Sequence, residues 1–177
     1  MAKPTKVVTG EARMSYVHLF EMHAVNPKDD PKYSVMVMIP KEDTATMDAL
    51  RAAEEAATEI GIPSKFGGRR PKELASIIRD GDDTADDYPE RAGHWIMSVS
   101  STRKPGIVDS SVQPIMDQSE VYSGMYARVS LNAFPYTYGN KKGISFGLSN
   151  VMKTRDGEPL GGISRAEDDF AEFADLV

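Results

Sequence analysis

The segment MYARVSLNAFPYTY, residues 125–138, alternates in a way that suits a long, half-buried strand. Met125, Ala127, Val129, Leu131 and Ala133 fall on one side and form a core set. Tyr126, Arg128, Ser130, Asn132, Phe134, Tyr136 and Tyr138 fall on the other, with Lys141 and Lys142 in the turn that follows. That turn, GNKKG, leads into GISFGLSNVMK, the strongest hairpin signal in the chain. Pro135 marks an edge or a bulge, beyond which the phase of the alternation is open. Rings, hydrogen-bonding groups and cations on one surface suit a single nucleic-acid strand, whose bases stack while its phosphates meet cations. A solvated or covered strand face gives the same pattern, because aromatic residues are common in strands.

The remaining elements are short. Residues 13–23 read as a strand or strand pair, and YSVMVMI at 33–39 as a central strand buried on both faces and ending at Pro40. A helix follows, capped by Asp43 or Thr44, with an apolar stripe of Met47, Leu50, Ala53, Ala57 and Ile60 and a stop at Gly61. A second short helix is predicted over 71–79, with Pro71 in its first turn. Residues 80–93 read as an acidic loop, HWIMSVSS at 94–101 as a strand, and RKPG at 103–106 as a basic turn. Short strands with one inserted helix predict a mainly-β fold, a five-stranded antiparallel barrel of the oligonucleotide-binding (OB) type. Residues 1–164 are expected to form this domain, and 165–177 a flexible acidic tail.

Charge sharpens the picture. The net charge is −6, which argues against a polyanionic partner. However, residues 80–90 hold six acids and no base, and residues 165–177 hold five acids and one arginine. Without those two segments the balance becomes +4. A mildly basic body is masked by acidic segments. The absence of cysteine excludes disulfides and thiolate metal sites. The N-terminal MAKPTKVV is unlike a signal peptide and no run of about 18 apolar residues occurs, so a soluble intracellular protein is expected.

Enzyme motifs are weak. No Gly-Lys-Ser/Thr occurs, Gly139, Gly143 and Gly147 lack dinucleotide-binding spacing, and His18, His23 and His94 follow no metal-ligand pattern. Asp80, Asp82, Asp83, Asp86 and Asp87 offer a second reading, a metal-dependent nuclease or recombination enzyme; a solvated loop is the plain alternative. Basic groups are better placed. Lys65, Arg69 and Arg70 crowd a Gly-Gly loop containing Phe66; Arg103 and Lys104 follow the strand of Trp95; Lys141 and Lys142 cap the hairpin, and Lys153 ends it. Such loops beside an aromatic strand make an electrostatic funnel and a stacking platform for single-stranded nucleic acid. In the tail, Phe170 and Phe173 stand among Asp168, Asp169 and Asp175. The segment is too small to fold alone and reads either as a DNA mimic with partner-docking rings or as a short helix packed on the body.

Several stretches carry a family resemblance: RMSYVHLFE (13–21), YSVMVMIPK (33–41), DGD (80–82), KPGIVD (104–109), VYSGMYARVSLNAFPY (121–136) and GNKKGISFGLSNVMKTRDGEPLGG (139–162). Over most of its length the chain resembles the bacteriophage single-stranded DNA-binding proteins of the Enterobacter-phage type. The resemblance implies an OB barrel with an inserted helix that coats single-stranded DNA during phage replication and recombination. It implies no catalysis and no cofactor or metal, action in the cytoplasm of the bacterial host, and replication or recombination proteins as tail partners. It also implies that the strands and loops around Tyr126, Arg128, Phe134, Tyr136 and Tyr138 face DNA. A protein that interacts with other proteins and has no DNA affinity is the remaining alternative.

Overall fold

A computed structural model describes residues 4–24, 26–160, 170 and 173. Its frame is the predicted hairpin, β8 (Tyr126–Tyr138) against β9 (Lys141–Arg155). Along β8, Ala127, Val129, Leu131 and Ala133 are buried, while Arg128, Asn132 and Phe134 are exposed. The register runs through Pro135 without a slip, pairing it with Ile144 and Tyr136 with Gly143. Two slips occur earlier, where β9 carries one extra residue against β8 between Ser130 and Leu131 and another between Tyr126 and Ala127. Such bulges increase local twist and help a strand curl.

Curling closes a ring. β2 (Ala12–His23), β3 (Lys32–Pro40) and β6 (His94–Ser101) pair in succession, all antiparallel. β6 meets β9 in parallel at Ser100 and Gly147, β9 meets β8, and β8 returns to β2 at Ala127 and Ala12. Met14, Leu19, Val35, Val37, Met97, Val99, Leu131 and Phe146 fill the interior. Short strands extend the ring: β1 (Lys6–Val8) on β8, β4 (Ala75–Ser76) and β7 (Gly106–Val108) on β9, and β5 (Arg79–Asp80) on β6. The fold is the five-stranded, OB-like barrel that the sequence predicts.

The inserted helix α1 (Thr44–Ser64) packs against β8. Asp43 caps it, accepting from the Thr46 N–H at 3.1 Å. Its buried side is Thr46, Leu50, Ala53, Ala56, Ala57, Thr58 and Gly61; Ile60, expected in the stripe, is exposed. Gly61 does not stop the helix. A Cβ there would sit 2.5 Å from the Phe66 ring and 2.7 Å from Pro135, so the position is glycine because two elements close over it. The helix predicted over 71–79 is absent. Ile77 and Ile78 pack inward there, and β4 and β5 on either side must stay extended to reach β9 and β6.

The turn before β8 is a latch. Gly124, at φ 113°, lies so close to the Glu158 carbonyl that no side chain fits. The Tyr122 hydroxyl sits 2.9 Å from the Asp156 carboxylate and accepts from the Gly157 N–H at 3.1 Å. Burial pushes that phenol upward, and Lys153 together with the Tyr122 hydroxyl holds Asp156 below the usual carboxylate range. The Leu160 N–H donates to Ser123, so the chain after β9 is strapped to the barrel.

Candidate nucleic-acid interface

The outer face of β3 and β6 is built from the residues that alternate with the core. Ser34 stands opposite Ser100, and Met36 opposite Ser98. The segment carrying β4 and β5 rises beside this face, and the tip of the β8–β9 hairpin closes the far side. Together they enclose an open cleft of about 860 Å³ with Met36, Ile96 and Ser98 on its floor and Ile78, Arg79, Tyr136 and Lys141 around it. A second depression of about 260 Å³ shares Met36 and Ser98 and continues over β2 to Tyr16, His18 and His23. The two form one groove across β2, β3 and β6. In OB barrels the face of the second and third strands and the flanking loops is where oligonucleotides lie.

Charge at the groove is unevenly engaged. Arg79 and Lys141 are exposed, and neither has an ion-pair partner among the described residues. Asp83 also lines the cleft. Asp80 and Asp82 are tied up: the Lys41 ammonium lies 2.7 Å from each and holds both carboxylates below their usual range. Asp82 also accepts from the Gly93 N–H at 2.8 Å, and Lys41 lies 4.8 Å from the Trp95 ring centre. Arg91 is buried, donates to the Thr84 hydroxyl at 3.0 Å and lies 3.8 Å over the Tyr88 ring, which fixes the 3₁₀ turns at 81–84 and 89–91. Among the described residues no three His, Asp or Glu side chains gather as metal ligands. Through Asp80 and Asp82, Lys41 clamps the start of the acidic loop to the wall of the cleft.

The residues singled out in the sequence separate into groups. Tyr136 and Lys141 line the cleft, with the Tyr136 ring laid across Gly143. Tyr138 is 82 % exposed at the hairpin tip, opposite Lys141, with Lys142 opposite Thr137, and Phe134 is exposed near Gly147. Lys65, Arg69, Arg103 and Lys104 are exposed on loops, Lys104 over the Phe20 ring at 4.8 Å. Arg70 is engaged by Glu55 through two 2.6 Å hydrogen bonds. Trp95 is half-buried and packs on the core. Phe66 is a correction: only 2 % exposed, it fills the space that Gly61 leaves and offers no face to a base.

Tyr126, Arg128 and Lys153 lie elsewhere. The Arg155 guanidinium sits 3.8 Å from the Tyr126 ring and that of Arg13 5.8 Å from it. Arg128 donates to the Thr9 carbonyl at 2.9 Å and borders a separate groove of about 290 Å³ with Val8, Val108 and Met152. Lys153 pairs with Asp156 at 2.6 Å. Asp168, Asp169 and Asp175 lie outside the described residues, whereas Phe170 and Phe173 are exposed.

The profile of a family described as "Enterobacter phage Enc34, ssDNA-binding protein" matches residues 5–176. The chain belongs to that family. An Enc34-family identity agrees with the fold: the single-stranded DNA-binding protein of bacteriophage Enc34, solved with single-stranded DNA, superposes with a TM-score of 0.77 at 23% identity, over 89% of this chain and 90% of that one. The barrel is also similar to gp2.5 of bacteriophage T7, a single-stranded DNA-binding protein, with a TM-score of 0.64 at 16% identity over 96% and 94% of the two chains. In sequence, the chain is 28% identical to "Putative protein p50" of Acyrthosiphon pisum secondary endosymbiont phage 1, over 97% of this chain and 94% of that protein. No described helix of this Enc34-family chain is long and apolar enough to cross a membrane.

Met36, Ser98, Arg79 and the place of the two β2 histidines in the groove escape the sequence reading, whereas Tyr16, open there between core and groove, lines the groove. One signal was available: Ser98 and Ser100 alternate with Met97 and Val99 in β6, which marks an outward polar row. Reading β3 as buried on both faces hid Ser34 and Met36.

Proposed function

We propose that the protein coats single-stranded DNA without catalysis and without sequence specificity, laying the strand in the groove over β3 and β6. Tyr136, Phe134 and Tyr138 stack bases, and Arg79, Lys141, Lys142 and the loop cations Lys65, Arg69, Arg103 and Lys104 meet phosphates. The observation that carries this reading is the groove on the β3–β6 face of an OB-like barrel, with cations at its rim that have no ion-pair partner among the described residues. Family membership supports it, as does a fold shared with phage proteins of this activity. The place of action is the cytoplasm of the bacterial host, during phage DNA replication or recombination.

The tail supplies the mask on the basic body. In this reading its carboxylates occupy the groove when DNA is absent, and the rings of Phe170 and Phe173 dock on replication or recombination proteins when DNA displaces them. Both rings are exposed, as docking requires.

Fluorescence anisotropy with an oligo-dT of about 30 nucleotides tests the proposal. Tight binding at low salt that weakens linearly in log salt is expected; no binding at low salt rejects it. Incubation with magnesium or manganese leaves the oligonucleotide intact, whereas cleavage that Asp82→Ala abolishes would restore the nuclease reading. Deleting residues 165–177 tightens binding at low salt; unchanged or weaker binding contradicts the mimic.

A further inference from the structure

Strand β2 carries two local irregularities. Tyr16 adopts φ 47°, a left-handed conformation uncommon for a ring-bearing residue within a strand. It is held there from its neighbour, as the Val17 N–H donates to the Ser123 hydroxyl at 3.2 Å. Strain of this kind persists where surrounding structure over-determines it and gathers at binding sites. The strand also slips against β3. His18 stands opposite Ser34 and His23 opposite Lys32, so residues 19–22 face Tyr33 alone.

That slip brings two rings together. Five positions along a regular strand span about 16 Å and end on the opposite face. Here the His18 and His23 rings have centroids 4.0 Å apart and planes 11° from parallel. Within the bulge Leu19 is buried and Phe20 packs on the core, while Glu21 and Met22 are exposed. Both features open onto the same depression, where Tyr16, half exposed, and the histidine pair meet Ser34 and Ser100 beside the floor residues Met36 and Ser98.

We infer that Tyr16 and the stacked His18–His23 pair form a base-stacking subsite at the β2 end of the groove, which takes one nucleobase of the bound strand. This rests on the single-strand reading above and adds a place to it. The ring spacing is close to the rise of about 3.4 Å between successive bases, so a base laid on the exposed His23 continues a stack that the protein has begun. Burial and the neighbouring His23 keep His18 below its usual pKa, which favours the uncharged ring. A metal site does not fit. Ring-nitrogen lone pairs lie in the ring planes, and in two parallel rings they run side by side instead of converging on one ion.

Full-length protein with a fluorescent oligo-dA and oligo-dT of about 20 nucleotides tests the subsite. His23→Ala is expected to weaken binding about fivefold or more, and His23→Phe to stay within about twofold, because a stackable ring is retained. In the wild type, the ring-proton NMR signals of His23 and Tyr16 shift upfield on saturation with oligo-dA. Wild-type affinity in His23→Ala, or ring signals that do not move, overturns the inference and leaves the wider reading standing. If His23→Ala melts early, His23→Phe and the wild-type ring signals decide. Failure of the wild type to bind either oligonucleotide removes the wider reading and the subsite together.

Discussion

Two surfaces of this barrel carry rings and cations, and they differ in what those groups already do. On the surface around Tyr126, each cation has a protein partner. Arg13 donates to the Gly124 and Glu158 carbonyls, Arg155 to Glu11, Arg128 to Thr9, and Lys153 pairs with Asp156. In the groove over β3 and β6, Arg79 and Lys141 have no such partner among the described residues, and Tyr136 stands at the wall of an open cleft. A partnered cation must break a contact before it meets a phosphate, whereas a free one gives up only water. Composition does not distinguish the two surfaces; the state of their hydrogen bonds does.

The largest expected effect concerns a ring that belongs to neither surface. Phe66→Ala removes a fully packed side chain and should cost about 3–5 kcal/mol of stability. Urea denaturation reads this directly, and the folded fraction should bind oligo-dT as the wild type does. Unchanged stability with lost binding would return Phe66 to the interface.

Next come the two residues that the alternation of β8 treats alike. Tyr136→Ala should weaken oligo-dT binding by about 1–3 kcal/mol, the usual worth of a stacked base. Arg128→Ala should change binding by less than about 0.5 kcal/mol, as for surface substitutions away from a site. Equal losses in anisotropy titrations would merge the two surfaces into one. Charge sharpens the same contrast. Lys141→Ala with Arg79→Ala should lower the slope of log affinity against log salt by about 1.4, about 0.7 for each lost single-strand phosphate contact. Arg13→Ala and Arg155→Ala should leave that slope unchanged.

The smallest effect is on pH dependence. Burial and His23 lower the pKa of His18 on folding, so the folded state binds fewer protons than the unfolded chain and stability rises with pH. This contribution is complete above about pH 6.5, the unfolded value, and is lost as pH falls through the lowered folded value. Urea midpoints should therefore drop more for the wild type than for His18→Gln on going from about pH 7.5 to about pH 5.5. Equal drops would mean that His18 titrates as it does in the unfolded chain.

Local pattern carried much of the fold. The alternation of 125–138 and the turn signal GNKKG at 139–143 gave the hairpin, although the turn itself is 139–140 and Lys141 and Lys142 open β9. Asp43 with its apolar stripe gave the helix start. Tertiary demands overrode local signals elsewhere. Gly61 looks like a stop, yet Phe66 and Pro135 pack over it, and the Pro-led stretch at 71–79 is held extended by pairing with β9 and β6. The site was less legible for a geometric reason. By alternation Arg128 and Tyr136 lie on one side of β8, but the strand coils, so they border different grooves. The histidine pair was invisible because a bulge, which no spacing rule anticipates, sets two rings five positions apart against each other.

Photo-cross-linking with an oligo-dT carrying 5-iodouracil tests the central claim most directly, because it reports which rings and thioethers touch bases. Cross-links are expected on the β3–β6 groove, at Tyr136 or Met36. Cross-links confined to Tyr126 and Met152 would contradict this and move the DNA to the surface around Tyr126.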